Sequence, residues 1–317
     1  MDILMLTAGL VALFLGGDLL VRGAVSVAHA LHIPPLVIGL TLVGFGTSAP
    51  ELAASLQAAL AGSPAIAIGN VVGSNIGNIL LILGLTALLR PVTVDRAALM
   101  RDGSVLVFAS LLLLGVVLAG NIGRLTGLVF TALLATYVAA TLISARRRAS
   151  PAVGLYEAEA ALLPAPRAAL IGPGLMALAG LVIIVVGARF LVDGAVGLAR
   201  SSGLSESVIG LTIVAIGTST PELVTSLVAA RKGQGDVAFG NVLGSNIFNI
   251  LGILGVTAAV HPLAVPPGIA GFDIWVMLAA TAALILASIT GWRVGRREGA
   301  VLLAAYAAYL WALLGMA

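Results

Sequence analysis

The stretch VIGLTLVGFGTSAPELAASLQAAL at residues 37–60 occurs a second time, as VIGLTIVAIGTSTPELVTSLVAAR at residues 208–231. The two copies align without a gap, so Glu51 corresponds to Glu222. In each copy the glutamate directly follows a proline and lies inside an otherwise apolar segment. An internal repeat with an acidic residue at its centre therefore organises the chain.

The composition is that of a membrane protein. Of 317 residues, 60% are hydrophobic and 9% are charged, against roughly a quarter charged in an average soluble domain. Apolar runs of about 20 residues recur along the chain, which is the length a membrane-spanning helix needs. The absence of cysteine excludes disulfides and thiolate metal sites. The sequence predicts a multi-pass integral membrane protein of the cell or inner membrane.

We predict ten spans in two halves of five, joined by a polar linker, which gives the divisions 1–144, 145–171 and 172–317. The predicted spans are 3–22, 36–61, 65–89, 103–120, 124–144, 172–198, 207–231, 236–259, 272–292 and 298–316. The first is interpreted as a retained span, not a signal peptide, because GGDLLVRGAV aligns at the same offset with GARFLVDGAV. An odd number of spans per half reverses the second half in the membrane. The predicted fold class is therefore an all-α membrane protein of two inverted-topology five-helix repeats, with broken helices at mid-membrane.

Basic residues support this arrangement. With the N-terminus and C-terminus outside, 13 of the 16 basic residues fall in inner loops: Arg22, Arg90, Arg96, Arg101, Arg146, Arg147, Arg148, Arg167, Arg231, Lys232, Arg293, Arg296 and Arg297. The outer side holds only Arg124, Arg189 and Arg200. Positive charge is enriched in cytoplasmic loops, so the bias predicts both termini outside.

The repeated motif carries the chemistry of a cation site. Pro50 and Pro221 each remove a backbone donor inside a span, which frees carbonyls about one turn upstream, near Gly46 and Gly217. A broken helix at mid-membrane is tolerated only where it is buried or lines a wet cavity. Freed carbonyls, hydroxyls and a carboxylate together form an all-oxygen site, which suits a hard cation.

Helical spacing places these polar residues on shared faces. In the motif, the residues on one face are Thr47, Ser48 and Glu51, and their repeat counterparts are Thr218, Ser219 and Glu222. On the following span, the residues on one face are Asn70, Ser74 and Asn78, and their counterparts are Asn241, Ser245 and Asn249. Interhelical hydrogen bonding is the structural alternative for the serines and asparagines. We expect Asn75 and Asn246 to cap or cross-link helices, and Ser55 and Ser226 to serve packing.

A second charged feature lies in the first span of each half. Asp18 and Arg22 are four residues apart, and Arg189 and Asp193 occupy the equivalent positions with the signs exchanged. The favoured interpretation is a local ion pair near a helix end, with a gating role as the alternative.

The sequence lacks the residues that several other classes of protein function require. A serine hydrolase would need a general base, and no histidine or lysine lies within a span beside either serine of the motif. No Walker-type phosphate loop occurs, so ATP-driven pumping by this chain is not supported. The three histidines lie at span ends, away from the glutamates. We expect a transporter, not an enzyme, with no cofactor, no nucleic acid and no obligate protein partner.

At the paired segments GTSAPELAASL and GTSTPELVTSL, and GNVVGSNIGNI and GNVLGSNIFNI, the chain resembles the sodium/calcium exchanger family with its two alpha-repeats. The resemblance implies that Thr47, Glu51, Thr218 and Glu222 bind Ca²⁺. It implies Na⁺ sites at Ser48, Ser74, Asn78, Ser219, Ser245 and Asn249, with carbonyls near Gly44 and Ala215. In that family the first and sixth spans form a mobile pair.

Two departures from the family pattern carry implications. Many prokaryotic and potassium-dependent relatives carry Asp where Asn249 stands. Its absence here implies exchange that does not require potassium, and leaves a core with two carboxylates. The linker is short and lacks the acidic clusters of the calcium-sensing domain in animal exchangers.

The expected function is antiport of Na⁺ against Ca²⁺ at one mid-membrane site by alternating access, with the two ions and the lipid bilayer as partners. Two glutamates supply about two negative charges, which one Ca²⁺ neutralises. Repulsion in a low dielectric prevents Na⁺ from joining it. The alternative is a Ca²⁺/H⁺ antiporter using the same glutamates, and a cation channel is disfavoured by the single pair of carboxylates.

Overall fold

The computed structural model describes residues 2–31, 33–149, 168–201 and 215–316. Its helices are α1 (Asp2–Ala30), α2 (Pro35–Thr47), α3 (Ala49–Leu60), α4 (Pro64–Leu89), α5 (Arg96–Leu118), α6 (Arg124–Ala149), α7 (Ala168–Ser201), α8 (Ala215–Thr218), α9 (Thr220–Arg231), α10 (Gly235–Val260), α11 (Ile269–Ile289) and α12 (Arg296–Met316). Four two-residue strands lie in the connections: β1 (Val92–Thr93), β2 (Asn121–Ile122), β3 (Leu263–Ala264) and β4 (Arg293–Val294). The predicted all-α fold class is confirmed.

Seven of the described helices are long and apolar enough to cross a membrane, or eight if α2 and α3 form one bent span. The chain is thus a multi-pass integral membrane protein. The count of ten spans stays a prediction, because residues 207–214, the start of the seventh predicted span, lie outside the described residues. So does most of the predicted linker 145–171.

Two predicted boundaries were wrong. The first span was expected to end at residue 22, but α1 continues to Ala30. Val25 and Val27 in its last turns pack against a buried cluster that contains residues of both halves. The fourth span was expected to begin at residue 103, but α5 begins at Arg96. The Asp95 carboxylate caps it by accepting a hydrogen bond from the Ala98 nitrogen at 2.7 Å.

The short strands reveal how the halves are oriented. β1 pairs with β4 and β2 pairs with β3, both antiparallel. In the sequence repeat, β1 corresponds to β3 and β2 to β4. Helix α5 connects β1 to β2 and, at 23 residues, separates them by about 34 Å. Since β3 lies beside β2, equivalent strands occupy opposite ends of the molecule, and the repeat is inverted.

Helices α1 and α7, the first of each half, pack directly against each other through glycines. A Cβ added at Gly9 would lie 2.6 Å from the backbone nitrogen of Leu191, and one at Gly16 would lie 2.8 Å from that of Ile184. Only hydrogen fits at these positions, so the two backbones approach closely, as small residues allow in membranes.

Helices α4 and α10 form the interior of the molecule. In an apolar 18-residue segment of each helix, 78% of the residues of α4 and 83% of those of α10 are buried, against 28% in α1 and in α7. The outer helices instead expose large apolar side chains such as Phe14, Leu125 and Trp311, as expected for surfaces that face lipid. The predicted ion ligands on α4 and α10 therefore lie on the most enclosed helices.

Several helices contain a wider π turn, a feature that is frequent at functional sites. The described π turns are Gly39–Val43, Asn78–Leu83, Leu99–Gly103, Phe248–Ile253 and Ile269–Asp273. The turns in α4 and α10 occupy nearly equivalent positions in the two halves and begin at or next to the predicted Na⁺ ligands Asn78 and Asn249.

Candidate ion site

Both copies of the motif form a helix that breaks just before the proline. Helix α2 ends at Thr47 and α3 begins at Ala49, with a bend of 42° between them. Ser48, between the two helices, has a ψ of 6°, and Ser219 between α8 and α9 has a ψ of 7°. The ring of Pro50 occupies the second position of α3, where a missing backbone donor costs no helical hydrogen bond. The predicted breaks are present in both halves.

The two glutamates are buried, and each is held by the opposite half. Glu51 and Glu222 expose 1% and 2% of their surface. Ser48 Oγ donates to Glu222 Oε1 at 2.7 Å, and Ser219 Oγ donates to Glu51 Oε1 at 3.4 Å. The serine at each break therefore binds the carboxylate of the other break, which joins the two repeats into a single site.

An asparagine supports each glutamate from the following helix. Asn70 Nδ2 donates to the Glu51 carbonyl at 3.3 Å and to Ser55 Oγ at 2.9 Å. Asn241 repeats both bonds, to the Glu222 carbonyl at 3.1 Å and to the hydroxyl of Ser226 at 2.9 Å. These amides fix the first turn after each break, and with it the direction of the carboxylate.

Several of the residues that the resemblance assigned to Na⁺ form hydrogen bonds next to this pair or across the two halves. Ser219 Oγ donates to Ser74 Oγ at 3.4 Å, and Ser245 Oγ donates to the Gly44 carbonyl at 3.1 Å. Asn249 Nδ2 donates to Asn75 Oδ1 at 3.1 Å, so Asn75 cross-links α4 and α10 as predicted. Asn246, by contrast, donates to the Val242 carbonyl in its own helix.

The remaining predicted ligands differ in how they are held. Thr47 Oγ1 donates within its own helix to the Val43 carbonyl at 3.0 Å and lies 3.3 Å from Asn241 Oδ1. Thr218 is partly buried and lines a groove described below. Ala215 begins α8, directly after residues 202–214, which lie outside the described part of the chain.

Several buried polar atoms of this site make no hydrogen bond to any described residue. They are Glu51 Oε2, Glu222 Oε2, Asn249 Oδ1 and both amide atoms of Asn78. A buried polar atom without a partner costs free energy, and such atoms are rare in folded proteins. Four of the five are oxygens that accept, which is the donor chemistry that hard cations take from a protein. No group of three or more His, Cys, Asp or Glu side chains occurs among the described residues, so the site has two carboxylates.

The predicted ion pair at Asp18 is confirmed and has a partner that the sequence did not reveal. Arg22 Nε lies 2.8 Å from Asp18 Oδ2, and Lys232 Nζ pairs with Asp18 Oδ1 from the end of α9. Arg189 and Asp193, the equivalent residues with the signs of their charges exchanged, do not form an ion pair in the part of the chain that the structure describes.

Two cavities reach the site from different sides. A groove of about 240 Å³ between α3, α7 and α9 is lined by Pro50, Arg189, Asp193 and Thr218 among others. A crevice of about 180 Å³ between α4 and α12 is lined by Ser74 and Ser219. The groove is thus next to both glutamates, since Pro221 also lines it, and the crevice contains Ser219, which donates to Glu51.

A family model described as "Sodium/calcium exchanger protein" matches residues 1–143 and 173–315, which include both repeats. The chain belongs to the sodium/calcium exchanger family. This family consists of membrane ion exchangers, and the protein is accordingly a cation/calcium exchanger.

Relatives match the exchanger over nearly its whole length. The sodium/calcium exchanger MaX1 of Methanosarcina acetivorans is 36% identical, with 98% of this chain and 97% of that protein covered. The CaxA protein of Alkalimonas amylolytica is 40% identical, with 96% of each chain covered. A solved structure of the sodium-calcium exchanger NCX_Mj, soaked with 2.5 mM Na⁺ and 0.1 mM Ca²⁺, superposes with a TM-score of 0.82. It is 30% identical, and the match covers 98% of this chain and 97% of that one.

Sequence reasoning missed the partners of two asparagines, the contact made by Lys232 and a second pair of acids. Asn70 and Asn241 were placed on the correct helix faces, but their partners, the glutamate carbonyls, follow only from how α4 and α10 pack. Lys232 reaches Asp18 from the opposite half of the chain. A pair of acids, Asp102 and Asp273, also lies inside spans. The constant offset of the repeat could have revealed them, because it relates these two acids as it relates Glu51 and Glu222.

Proposed function

We propose that the exchanger moves Na⁺ against Ca²⁺ at a single site centred on Glu51 and Glu222. The observation that supports this most strongly is the set of buried acceptor oxygens without a hydrogen-bond donor among the described residues, one on each carboxylate. Two carboxylates supply a charge that one Ca²⁺ balances, and carboxylate oxygens are its preferred ligands. Thr47 and Thr218, at the two breaks, complete the proposed Ca²⁺ ligands.

The proposed Na⁺ ligands surround the same oxygens. Ser48 and Ser219 already bond to the carboxylates, so a cation that engages these hydroxyls also meets Glu51 or Glu222. Ser74, Asn78, Ser245 and Asn249, with the carbonyls of Gly44 and Ala215, supply further oxygens. Because the ligand sets overlap, Ca²⁺ and Na⁺ exclude each other by repulsion in a low dielectric. Mutual exclusion at one site is what an antiporter requires.

Alternating access follows from the inverted repeat. Two halves with equivalent contacts but opposite orientation can exchange conformations, which opens the shared site to one side and then to the other. The similarity to MaX1 and NCX_Mj, which are both named sodium/calcium exchangers, supports Na⁺ as the coupling ion. The bias of basic residues supports an orientation with both termini outside.

A Ca²⁺/H⁺ antiporter is the second candidate. One observation favours it: each glutamate keeps one oxygen without a partner among the described residues, and a proton could occupy that oxygen. The amide of Asn78 favours Na⁺ instead, because a proton needs no cage of oxygens.

Transport in proteoliposomes distinguishes the two. Vesicles loaded with Na⁺ and diluted into Na⁺-free buffer should take up radioactive Ca²⁺, and a pH gradient alone should not drive uptake. Uptake driven only by the pH gradient would replace Na⁺ with H⁺ as the coupling ion. Absence of uptake under both gradients would reject calcium exchange at this site.

A further inference from the structure

Two acids lie inside spans but outside the repeated motif. Asp102 in α5 and Asp273 in α11 occupy equivalent positions in the two copies of the repeat, and each lies in a π turn. Each accepts a hydrogen bond from a tyrosine in the last helix of its own half. Tyr137 OH donates to Asp102 at 3.1 Å, and Tyr309 OH donates to Asp273 at 3.0 Å. The inverted repeat therefore contains a second pair of equivalent acids, which ion binding at the glutamates does not use.

The two acids differ in their charge balance. Asp102 is fully buried, and Arg101 contacts both of its oxygens, with Nε at 2.7 Å from Oδ1 and a terminal nitrogen at 2.8 Å from Oδ2. Phe272 occupies the position equivalent to Arg101 and stacks on Tyr309 with ring centroids 6.1 Å apart. No described residue forms an ion pair with Asp273. Asp273 is only partly buried, and a carboxylate without a cationic partner keeps a negative charge that can attract a cation.

Tyr309 connects Asp273 to the ion site. The crevice of about 180 Å³ is lined by Tyr306 and Tyr309 of α12 and by Ser74 and Ser219 of the site. Ser219 in turn donates to Glu51. The partner of Asp273 and the partner of a proposed ion-binding glutamate therefore face the same space.

Glycines leave the α4 wall of this crevice open. Gly69, Gly73 and Gly77 follow one another at four-residue spacing and all line it. A Cβ added at Gly73 or Gly77 would meet no atom within 4 Å. Close helix packing therefore does not explain these two glycines, and their effect is to keep the crevice wide beside Ser74.

We propose that Asp273, held by Tyr309, draws Na⁺ into this crevice and determines the apparent affinity for Na⁺, while Arg101 leaves Asp102 a structural role. This inference rests on the proposed Na⁺/Ca²⁺ exchange. An acid near a confined opening raises the local concentration of cations. The polar groups that line the crevice are Asn70, Ser74, Ser219 and two tyrosines. They offer fewer oxygen ligands than the six to eight that Ca²⁺ takes. The crevice therefore suits a monovalent cation.

The test compares Asp273→Asn, Asp273→Glu and the unchanged protein in the proteoliposome assay. Initial rates of Ca²⁺ transport are measured against Na⁺ concentration at constant ionic strength, and then against Ca²⁺ concentration. We expect Asp273→Asn to raise the apparent KM for Na⁺ about threefold to tenfold. We expect the KM for Ca²⁺ and the maximal rate to stay within about twofold, and Asp273→Glu to restore the Na⁺ dependence.

Tyrosine variants supply a matched control. Tyr309→Phe and Tyr137→Phe each remove one hydrogen bond to an equivalent acid. We expect Tyr309→Phe to raise the KM for Na⁺, by less than Asp273→Asn because the carboxylate remains. Tyr137→Phe should leave the Na⁺ dependence unchanged, since Arg101 still holds Asp102.

Three results overturn the inference while Na⁺-driven uptake by the unchanged protein stands. One is an unchanged KM for Na⁺ in Asp273→Asn. Another is an equal rise of the KM values for Na⁺ and Ca²⁺, which indicates a structural defect at the shared site. The third is a loss of maximal rate in both Asp273 variants with both KM values unchanged. Failure of the unchanged protein to use a Na⁺ gradient would instead reject the proposed function.

Discussion

The two copies of the repeat agree around the glutamates and differ at Asp18 of α1 and the equivalent Arg189 of α7. Around Glu51 and Glu222, the serine from the opposite break and the asparagine that holds the backbone occur in both halves. Asp18 pairs with Lys232, whereas the equivalent Arg189 has no ion pair among the described residues. The hydrogen bonds around the glutamates are thus duplicated, and the ion pair between α1 and Lys232 is not.

The difference arises at two positions, because the counterpart of Asp18 is the basic Arg189 and the counterpart of Lys232 is apolar. Lys232 follows α9, and the equivalent residue after α3 is Ala61. The end of the molecule near Asp18 is therefore cross-linked between the halves. Its cavity of about 300 Å³, lined by Arg22 and Lys232, includes none of the predicted ion ligands. The groove beside the equivalent Arg189 is lined by Thr218, one of the predicted Ca²⁺ ligands.

The largest expected effect is on Ca²⁺ uptake, and it tests the glutamates that occur in both halves. Glu51→Gln and Glu222→Gln should each reduce Na⁺-driven Ca²⁺ uptake a hundredfold or more, because loss of one partner of a buried charge interaction costs roughly 3 to 5 kcal/mol. Uptake into proteoliposomes, with protein insertion quantified, measures this.

The matched control for the glutamate variants is Glu298→Gln. Glu298 accepts a hydrogen bond from the Gly295 nitrogen at the start of α12, away from the ion site, so its loss should leave uptake near normal. If one glutamate variant transported normally while the other was inactive, the two halves would not contribute equally to the site.

The second prediction concerns the supporting amides. Asn70→Ala and Asn241→Ala should each weaken Ca²⁺ binding about tenfold to a hundredfold, as removal of groups that orient metal ligands does. Equilibrium binding of radioactive Ca²⁺ to the purified protein measures the change. Asn246→Ala is the control, because its amide bonds within its own helix. Equal losses in all three variants would mean that the asparagines only stabilise the fold.

The smallest expected effect is on access near Asp18, and it tests the ion pair that occurs in only one half. Lys232→Gln removes the link between the halves and should increase access at that end about twofold to fivefold, since partly exposed ion pairs contribute up to about 1 kcal/mol. The chain has no cysteine, so a single cysteine replacing Ser26, which lines the cavity there, reports access by its rate of maleimide labelling. Arg189→Gln is the matched control and should leave that rate unchanged. Equal labelling in Lys232→Gln and the unchanged protein would show that the ion pair does not control this end.

The sequence was sufficient for features that repeat or have a fixed period. The constant offset between the copies identified both glutamates, the odd span count predicted the inverted repeat, and helical spacing placed Ser74 and Asn78 on one face. Hydrogen bonds between halves could not be predicted, because spacing gives the face of a helix but not the surface that it meets. Ser48 was expected beside Glu51, and the structure places its hydroxyl on Glu222.

The other surprises have the same origin. Asp18 was expected to pair only within its helix, and Lys232 reaches it because α1 packs on α9, where a Cβ at Gly17 would lie 3.1 Å from Val224 and Val228. Asp102 and Asp273 lie close to the ends of their spans, where a charge needs no explanation from sequence alone. Only the structure shows that a tyrosine contacts each of these acids and that Arg101 pairs with Asp102.

Competition between the two ions at equilibrium tests the central claim most directly. Radioactive Ca²⁺ bound to the purified exchanger is measured while Na⁺ is raised at constant ionic strength. One site shared by Glu51 and Glu222 predicts that Na⁺ displaces all bound Ca²⁺, with a Hill coefficient above one, and that the Glu51→Gln, Glu222→Gln double variant binds neither ion. Ca²⁺ that remains bound at saturating Na⁺, or that binds the double variant with unchanged affinity, would contradict a shared site.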